Sequence, residues 1–248
     1  AVFVGNPVMH HFFLGIDPTE LGGAPFALAV SGAVKAKTSD IGIPLNEGAR
    51  LYIVPCIAGH VGADAAAATL SEGPDRQDKM MLLVDVGTNA EIVLGNKKRV
   101  VACSSPTGPA FEGAEISSGQ RAAPGAIERV RINAETLEPK FKVIGTEQWS
   151  DEEGFEESAA KTGITGICGS AIIEVVAEMF LSGIISEDGV IDGVLAARSP
   201  RILENGRTFS YLLHDGAQRI TVTQTDVRAI QLAKAALYAG IKLLMEKQ

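Results

Sequence analysis

Three short apolar runs separated by polar turns dominate the middle of the chain. Residues 80–84 are apolar throughout and deliver one carboxylate, Asp85, to their end. Gly87, Thr88 and Asn89 follow, a second run occupies 92–94, and Gly95 with Asn96 turns the chain into a third run over 100–103. Runs of this length bounded by turn residues predict strand, tight polar turn, strand, turn, strand. Upstream, Leu51 to Val54 reads as a strand stopped by Pro55. After Gly59 and Gly62, an alanine-rich stretch predicts a helix able to approach another backbone closely. Residues 9–14 are expected to be helical, separated from a strand-like AVFVGN by Asn6 and Pro7, while 17–50 read as loop and short strands.

The second half repeats these periods less regularly. Residues 127–132 and 141–144 are strand-like and are followed by an acidic run at 151–157, the composition of a solvated loop or of a partner surface. A glycine turn then feeds a helix with apolar positions at Ile172, Ile173, Val176, Met179 and Phe180. Small strands and loops fill 186–220. Thr225 is placed to cap a last helix running from Asp226 to Glu246. Its stripe of Val227, Ile230, Leu237, Ile241 and Leu244, with Ala233, Ala236 and Gly240 beside it, predicts tight core packing.

Composition narrows the class. The chain is 46% hydrophobic and 5% aromatic over 248 residues, an ordinary α/β balance. A net charge of -8 argues against nucleic acid, whose binding needs Lys and Arg to neutralise phosphates. Cys56, Cys103 and Cys168 lie far apart with no C-x-x-C, so they read as buried free thiols, consistent with a reducing, cytoplasmic setting. No signal peptide or membrane span is evident. Residues 71–80, polar and containing Gly-Pro, are the best linker candidate, with a boundary near Lys79.

The chemistry the residues suggest is phosphate and metal handling, against the alternative of an ordinary hairpin satisfying its own turn. Gly87 lets backbone N–H groups come close to an anion, Thr88 and Asn89 add side-chain donors, and Asp85 could hold Mg²⁺ through water. Asp64, near a helix start, suits either the helix dipole or a catalytic, water- or metal-facing role. Ser104, Ser105, Thr107 and Gly108 could face a cleft. Glu112 and Glu115 suit a solvated turn or a catalytic role. Gly108 and Gly113 have P-loop spacing but no Gly-Lys-Ser/Thr follows. Gly166, Gly169 and Ser170 suit close helix packing or an anion. His10 and His11, adjacent in sequence, read as one core-edge and one surface histidine.

The Asp-x-Gly-Thr of 85–88 resembles the second phosphate loop of the acetate-kinase, sugar-kinase, Hsp70 and actin superfamily. Three further stretches, SSPTGPAFEGAEISSGQRAAPGAIERV (104–130), GITGICGSAIIEVVAEMFLSGII (163–185) and TVTQTDVRAIQLAKAALYAGIKLL (221–244), narrow the resemblance. Together they are similar to the C-terminal ATPase region of reductive activators of corrinoid proteins, which are ATP-dependent iron–sulfur proteins. Gln120 and Ala171 depart from the family's usual Met and Gly. The resemblance implies an α/β fold of RNase H-like, actin/Hsp70-type ATPase lobes, a mixed sheet flanked by helices. Residues 1–78 would be the rear of the first lobe and 79–248 most of the second.

It further implies ATP and Mg²⁺ as ligands and a corrinoid protein as partner, and it allows a homodimer. Asp85 would organise Mg²⁺. Gly87, Thr88 and Asn89 would hold phosphate oxygens, with Thr107 and Gly108 bordering the cleft and Asp64 beside it on an interlobe helix. A first phosphate loop and an adenosine loop would lie outside the chain, as would the domain carrying a 2Fe–2S cluster. The chain is therefore expected to be a fragment that binds ATP weakly or not at all alone. Rival readings are an activator of a dehydratase or dehalogenase, for which Cys56 is thin support, a small-molecule kinase, and a non-catalytic binding module.

Overall fold

In the computed structural model, which describes residues 1–248, the chain divides into two units. One comprises Ala1–Val86, Ala90–Ser105 and Tyr238–Gln248, the other Gly87–Asn89 and Pro106–Leu237. The first unit opens with strand β1 (Val2–Phe3), helix α1 (Pro7–Phe13), strands β2 (Val34–Lys37) and β3 (Arg50–Ile53), and helix α2 (Ala63–Glu72). β3 is central in this sheet, parallel to β1 and antiparallel to β2. Its alternation buries Leu51 and Ile53 and exposes Arg50 and Tyr52, as a half-buried strand requires. The Asn6 side chain caps α1 by accepting the Met9 N–H at 2.9 Å, and Pro7 occupies a first-turn position where a missing N–H costs nothing. At the start of α2, a Cβ on Gly62 would lie 2.8 Å from the Asn6 Cα, so only glycine admits that approach.

Contrary to expectation, His10 and His11 are both buried, at 0% and 1% exposure. Ala29 donates its N–H to His11 Nε2 at 3.2 Å, leaving Nδ1 to donate to the Pro7 carbonyl at 2.8 Å. Both ring nitrogens of His10 lack a partner. Burial, then the neighbouring His11 charge, hold its pKa below the usual imidazole range.

Strands β4 (Met81–Val86), β5 (Ala90–Asn96) and β6 (Arg99–Ser105) form the expected antiparallel meander. β5 lies between the other two and buries Ala90, Ile92, Val93 and Leu94. The Gly95–Asn96 turn works as its residues predict, with the Asn96 side chain accepting the Lys98 N–H at 3.0 Å. Cys56 and Cys168 are buried free thiols, whereas Cys103 is only half-buried, its Sγ 3.8 Å from the Gly240 carbonyl.

The second unit contains strands β7 (Ala126–Ile132) and β8 (Pro139–Val143), helix α3 (Phe155–Ala159), strand β9 (Gly166–Ile167) and helix α4 (Gly169–Leu181). Strands β10 (Ile202–Asn205), β11 (Thr208–Asp215) and β12 (Arg219–Thr223) follow, and then helix α5 (Gln224–Lys247) begins. β7 is antiparallel to β8 and parallel to β9, while β10, β11 and β12 make an antiparallel sheet. One core joins these sheets to α4 and α5 through residues such as Ile127, Val130, Met179, Tyr211 and Val227. The Tyr211 hydroxyl donates to the Leu137 carbonyl at 2.9 Å within it.

Two helix readings need correction. α4 buries Ala171, Ile172, Val175 and Met179, while Ile173 and Phe180 are about half exposed, at 45% and 50%. The helix is rotated because Glu174 and Glu178 accept the backbone N–H groups of Val130 and Ile132 at 2.7 and 2.9 Å, satisfying donors along β7. α5 begins at Gln224, not Asp226, and its cap is Thr223, not Thr225. Thr223 Oγ1 accepts the Asp226 N–H at 3.2 Å and Asp226 Oδ2 accepts the Thr223 N–H at 2.8 Å, a reciprocal capping box.

Candidate functional site

The hairpin between β4 and β5 is closed by Gly87, Thr88 and Asn89, with Val86 paired to Ala90. This register sets Asp85 directly across from Glu91, and Glu91 in turn across from Ser104. Two carboxylates directly opposite each other on one sheet face destabilise an antiparallel pair. Asp85 is exposed and Glu91 half-buried. Ser104 donates its hydroxyl to Glu91 Oε1 at 3.2 Å. Burial raises the Glu91 pKa; the Ser104 hydrogen bond opposes this, and the charges of Asp64 and Asp85 add to it. Asp64, half-buried in the first turn of α2, accepts the Ala65 N–H at 2.9 Å. Asp64, Asp85 and Glu91 thus share one electrostatic neighbourhood within the first unit.

No group of three or more His, Cys, Asp or Glu side chains is arranged to cage a metal ion. The donor set suits Mg²⁺, which keeps several waters and is held by one or two carboxylates together with substrate phosphates. An unneutralised cross-strand acid pair is the feature a divalent cation would relieve.

In the second unit, the tip of the hairpin is held from below. Thr107, 5% exposed, directs its hydroxyl at the carbonyls of Gly87 (2.9 Å) and Thr88 (3.1 Å). Gly87 spends its own N–H on the Asn89 carbonyl at 3.0 Å. The N–H groups of Thr88 and Asn89 donate to nothing in the chain, and both residues are exposed. A Cβ on Gly87 would meet only ordinary contacts, Asn89 O at 3.5 Å and Glu112 Oε1 at 3.8 Å. Nothing inside the chain therefore requires glycine there. Gly108 has φ 75° and ψ 174°, a region reserved for glycine, and leads into a 3₁₀ turn, Pro109–Glu112.

That turn carries Glu112, which the sequence left between a solvated turn and a catalytic role. The Thr88 hydroxyl donates to Glu112 Oε2. Glu112 also lines a cleft of about 790 Å³ together with Gln120, Arg121, Cys168, Gly169 and Ser170. The packing reading of Gly169 is supported directly, since a Cβ there would lie 2.0 Å from the Phe111 carbonyl oxygen. Sequence reasoning missed Glu91, although a signal was available: it mirrors Asp85 about Thr88, three residues either side. The partner of Glu112 carried no such signal, because only folding brings it to Thr88, 24 positions away. His60 is exposed and its ring is tilted against Phe26 with centroids 4.4 Å apart.

The strand–turn–strand unit with sheets flanked by helices places the fold in the actin-like ATPase class known as ASKHA. The family described as "C-terminal domain of RACo the ASKHA domain" matches residues 79–248, and the "RACo middle region" matches 1–77. The chain belongs to this RACo family. It is 36% identical to the corrinoid activation enzyme RamQ of Eubacterium limosum, over 99% of this chain and 40% of that protein. Over 77 residues, 31% of this chain and 14% of the relative, it is 43% identical to a [Co(II) methylated amine-specific corrinoid protein] reductase of Methanosarcina barkeri. A solved reductive activator for corrinoid, iron–sulfur protein superposes with a TM-score of 0.79 at 34% identity, covering 100% of this chain and 37% of that one. The chain thus spans less than half the length of these relatives.

Proposed function

We propose that this chain is the ATP-binding and ATP-hydrolysing module of an activator that returns a corrinoid protein to its working redox state. The observation that carries the reading is the hairpin tip at 87–89. It offers two unspent backbone N–H groups and an exposed Asn89 side chain, and the residue two before Gly87 in the chain, Asp85, is an exposed carboxylate. Membership of the RACo family and the names of the relatives support the corrinoid partner. The assignment of 1–78 to the rear of one lobe and 79–248 to most of the other belongs to the same proposal. So do a cytoplasmic setting and an iron–sulfur cluster elsewhere in the activator.

In this reading Thr88 and Asn89 hold phosphate oxygens through backbone N–H groups, while Thr107 and Gly108 fix the loop rather than touch the ligand. Asp85, with Glu91 across from it and Asp64 nearby, would hold Mg²⁺, which supplies neutralising charge at the phosphates. Phosphoryl transfer is catalysed mainly by positioning and charge neutralisation, so no covalent nucleophile is needed. Reduction of the corrinoid is driven uphill by the difference in partner affinity between nucleotide states.

The test is a calorimetric titration of the activator carrying this chain with MgATP, comparing wild type with Asp85→Asn. Loss of one charged ligand should weaken Mg²⁺-dependent binding about tenfold or more, equivalent to about 1.4 kcal/mol. Equal affinities for the two proteins would remove Asp85 from the site.

A further inference from the structure

We infer that Glu112 is the catalytic base for the water that attacks the nucleotide; this rests on the reading of 87–89 as a phosphate loop. The two carboxylate oxygens are differently placed. Oε2 accepts the Thr88 hydroxyl, whereas Oε1 makes no hydrogen bond and lies 3.8 Å from where a Cβ on Gly87 would sit. One oxygen is thus oriented, and the other is without a hydrogen bond beside Gly87 of the phosphate-loop turn.

A purely structural role explains this poorly. The turn is already held by the bifurcated Thr107 hydroxyl and by the Gly87 N–H, without help from Glu112. An exposed carboxylate also repels a triphosphate, so a latch on Thr88 would be better made from a neutral acceptor. The scaffold behind Glu112 is rigid, as a positioned base needs. Ala110, in the same 3₁₀ turn, is buried in the core, Gly113 stops the turn at φ 87°, and Gly169 of α4 packs directly on the Phe111 carbonyl. Glu112 is exposed and lines a cleft open to water.

In the step, the water oxygen bonds to the γ-phosphorus as the bond from that phosphorus to the bridging oxygen breaks. The released electron pair stays on the terminal oxygen of ADP. The water proton passes to Glu112 Oε1 and from there to the departing phosphate, so that the residue is regenerated.

The experiment uses the full-length activator with Glu112→Gln and Glu112→Ala, measuring binding of a non-hydrolysable ATP analogue and single-turnover ATP hydrolysis across pH. Glutamine keeps an acceptor for the Thr88 hydroxyl but cannot take a proton. Both variants should bind the analogue within about threefold of wild type, which also reports folding. Both should hydrolyse ATP about 100-fold more slowly or worse. If Glu112→Gln turns over at near the wild-type rate while Glu112→Ala does not, Glu112 is a latch and the inference is wrong. If the wild-type activator neither binds the analogue nor hydrolyses ATP, the phosphate-loop reading fails and takes this assignment with it.

Discussion

Glu91 shows how a single residue can report on a ligand. Its carboxylate is half-buried, faces Asp85 across the sheet and lies within the field of Asp64, and the Ser104 hydroxyl and a backbone hydrogen bond offset these costs incompletely. A carboxyl whose folded pKa is raised binds its proton more readily in the native state than in the unfolded chain. Its stabilising contribution is therefore full below the ordinary glutamate value of 4.5 and is lost as pH rises through the higher folded value. Near neutral pH and without Mg²⁺, Glu91→Gln should raise the melting temperature by about 1–3 °C, the size expected from relieving a like-charged cross-strand pair. The same variant should flatten the decline in stability between pH 4.5 and neutrality. An unchanged melting curve at both pH values would show that Asp85 and Glu91 do not strain the hairpin. At the same scale, Asp85, Gly87, Thr88 and Asn89 were legible in the sequence because they are contiguous and bounded by strand patterns. The buried turn-holding role of Thr107 was not, since its carbonyl partners lie 19 and 20 residues away.

Among the elements, α4 departs most from its sequence pattern. Apolar periodicity alone selects Ile173 and Phe180 for the core, yet the helix turns Ala171 and Val175 inward. Backbone satisfaction outweighed the burial of two large side chains here, because Glu174 accepts the Val130 N–H and also pairs with Arg129 and Arg131. Burial alone would raise the Glu174 pKa, but the Arg131 and Val130 hydrogen bonds and the two arginine charges outweigh it and lower it. Glu174→Ala should cost about 2 kcal/mol by leaving the Val130 N–H unpaired, measurable as a lower urea midpoint. A lowered folded pKa means that this contribution is present above pH 4.5 and fades as pH falls through the folded value. The variant should therefore converge on wild type in acid, and a gap that persists there would assign the loss to packing instead. The error over the α5 cap has a similar origin. Thr223 and Thr225 are equally plausible caps in sequence, and only the reciprocal bond with Asp226, which also accepts the Ser117 N–H at 2.8 Å, selects the earlier one.

For the whole molecule, the proposed function makes stability depend on ligand and metal together. A ligand that binds only the folded state stabilises it by about 2.7 kcal/mol when present at 100 times its dissociation constant. MgATP should accordingly raise the melting temperature of the activator, and ATP with EDTA should do so much less, because the acid neighbourhood of Asp85 would then meet the triphosphate without a neutralising cation. Equal shifts with and without Mg²⁺ would separate nucleotide binding from these carboxylates.

By itself the sequence determined the strand–turn–strand at 80–103, the places of most helices, and membership of a family whose motifs run through the whole chain. These depend on local periodicity and contiguous residues, and neighbours along a chain are neighbours in any fold. Only the tertiary structure decided that Asp85 faces Glu91, that Thr88 gives its hydroxyl to Glu112, which face of α4 is buried and where α5 is capped. Those outcomes depend on register and on contacts between distant segments, where the cost of an unpaired buried donor or of two facing charges exceeds any preference readable from a single residue.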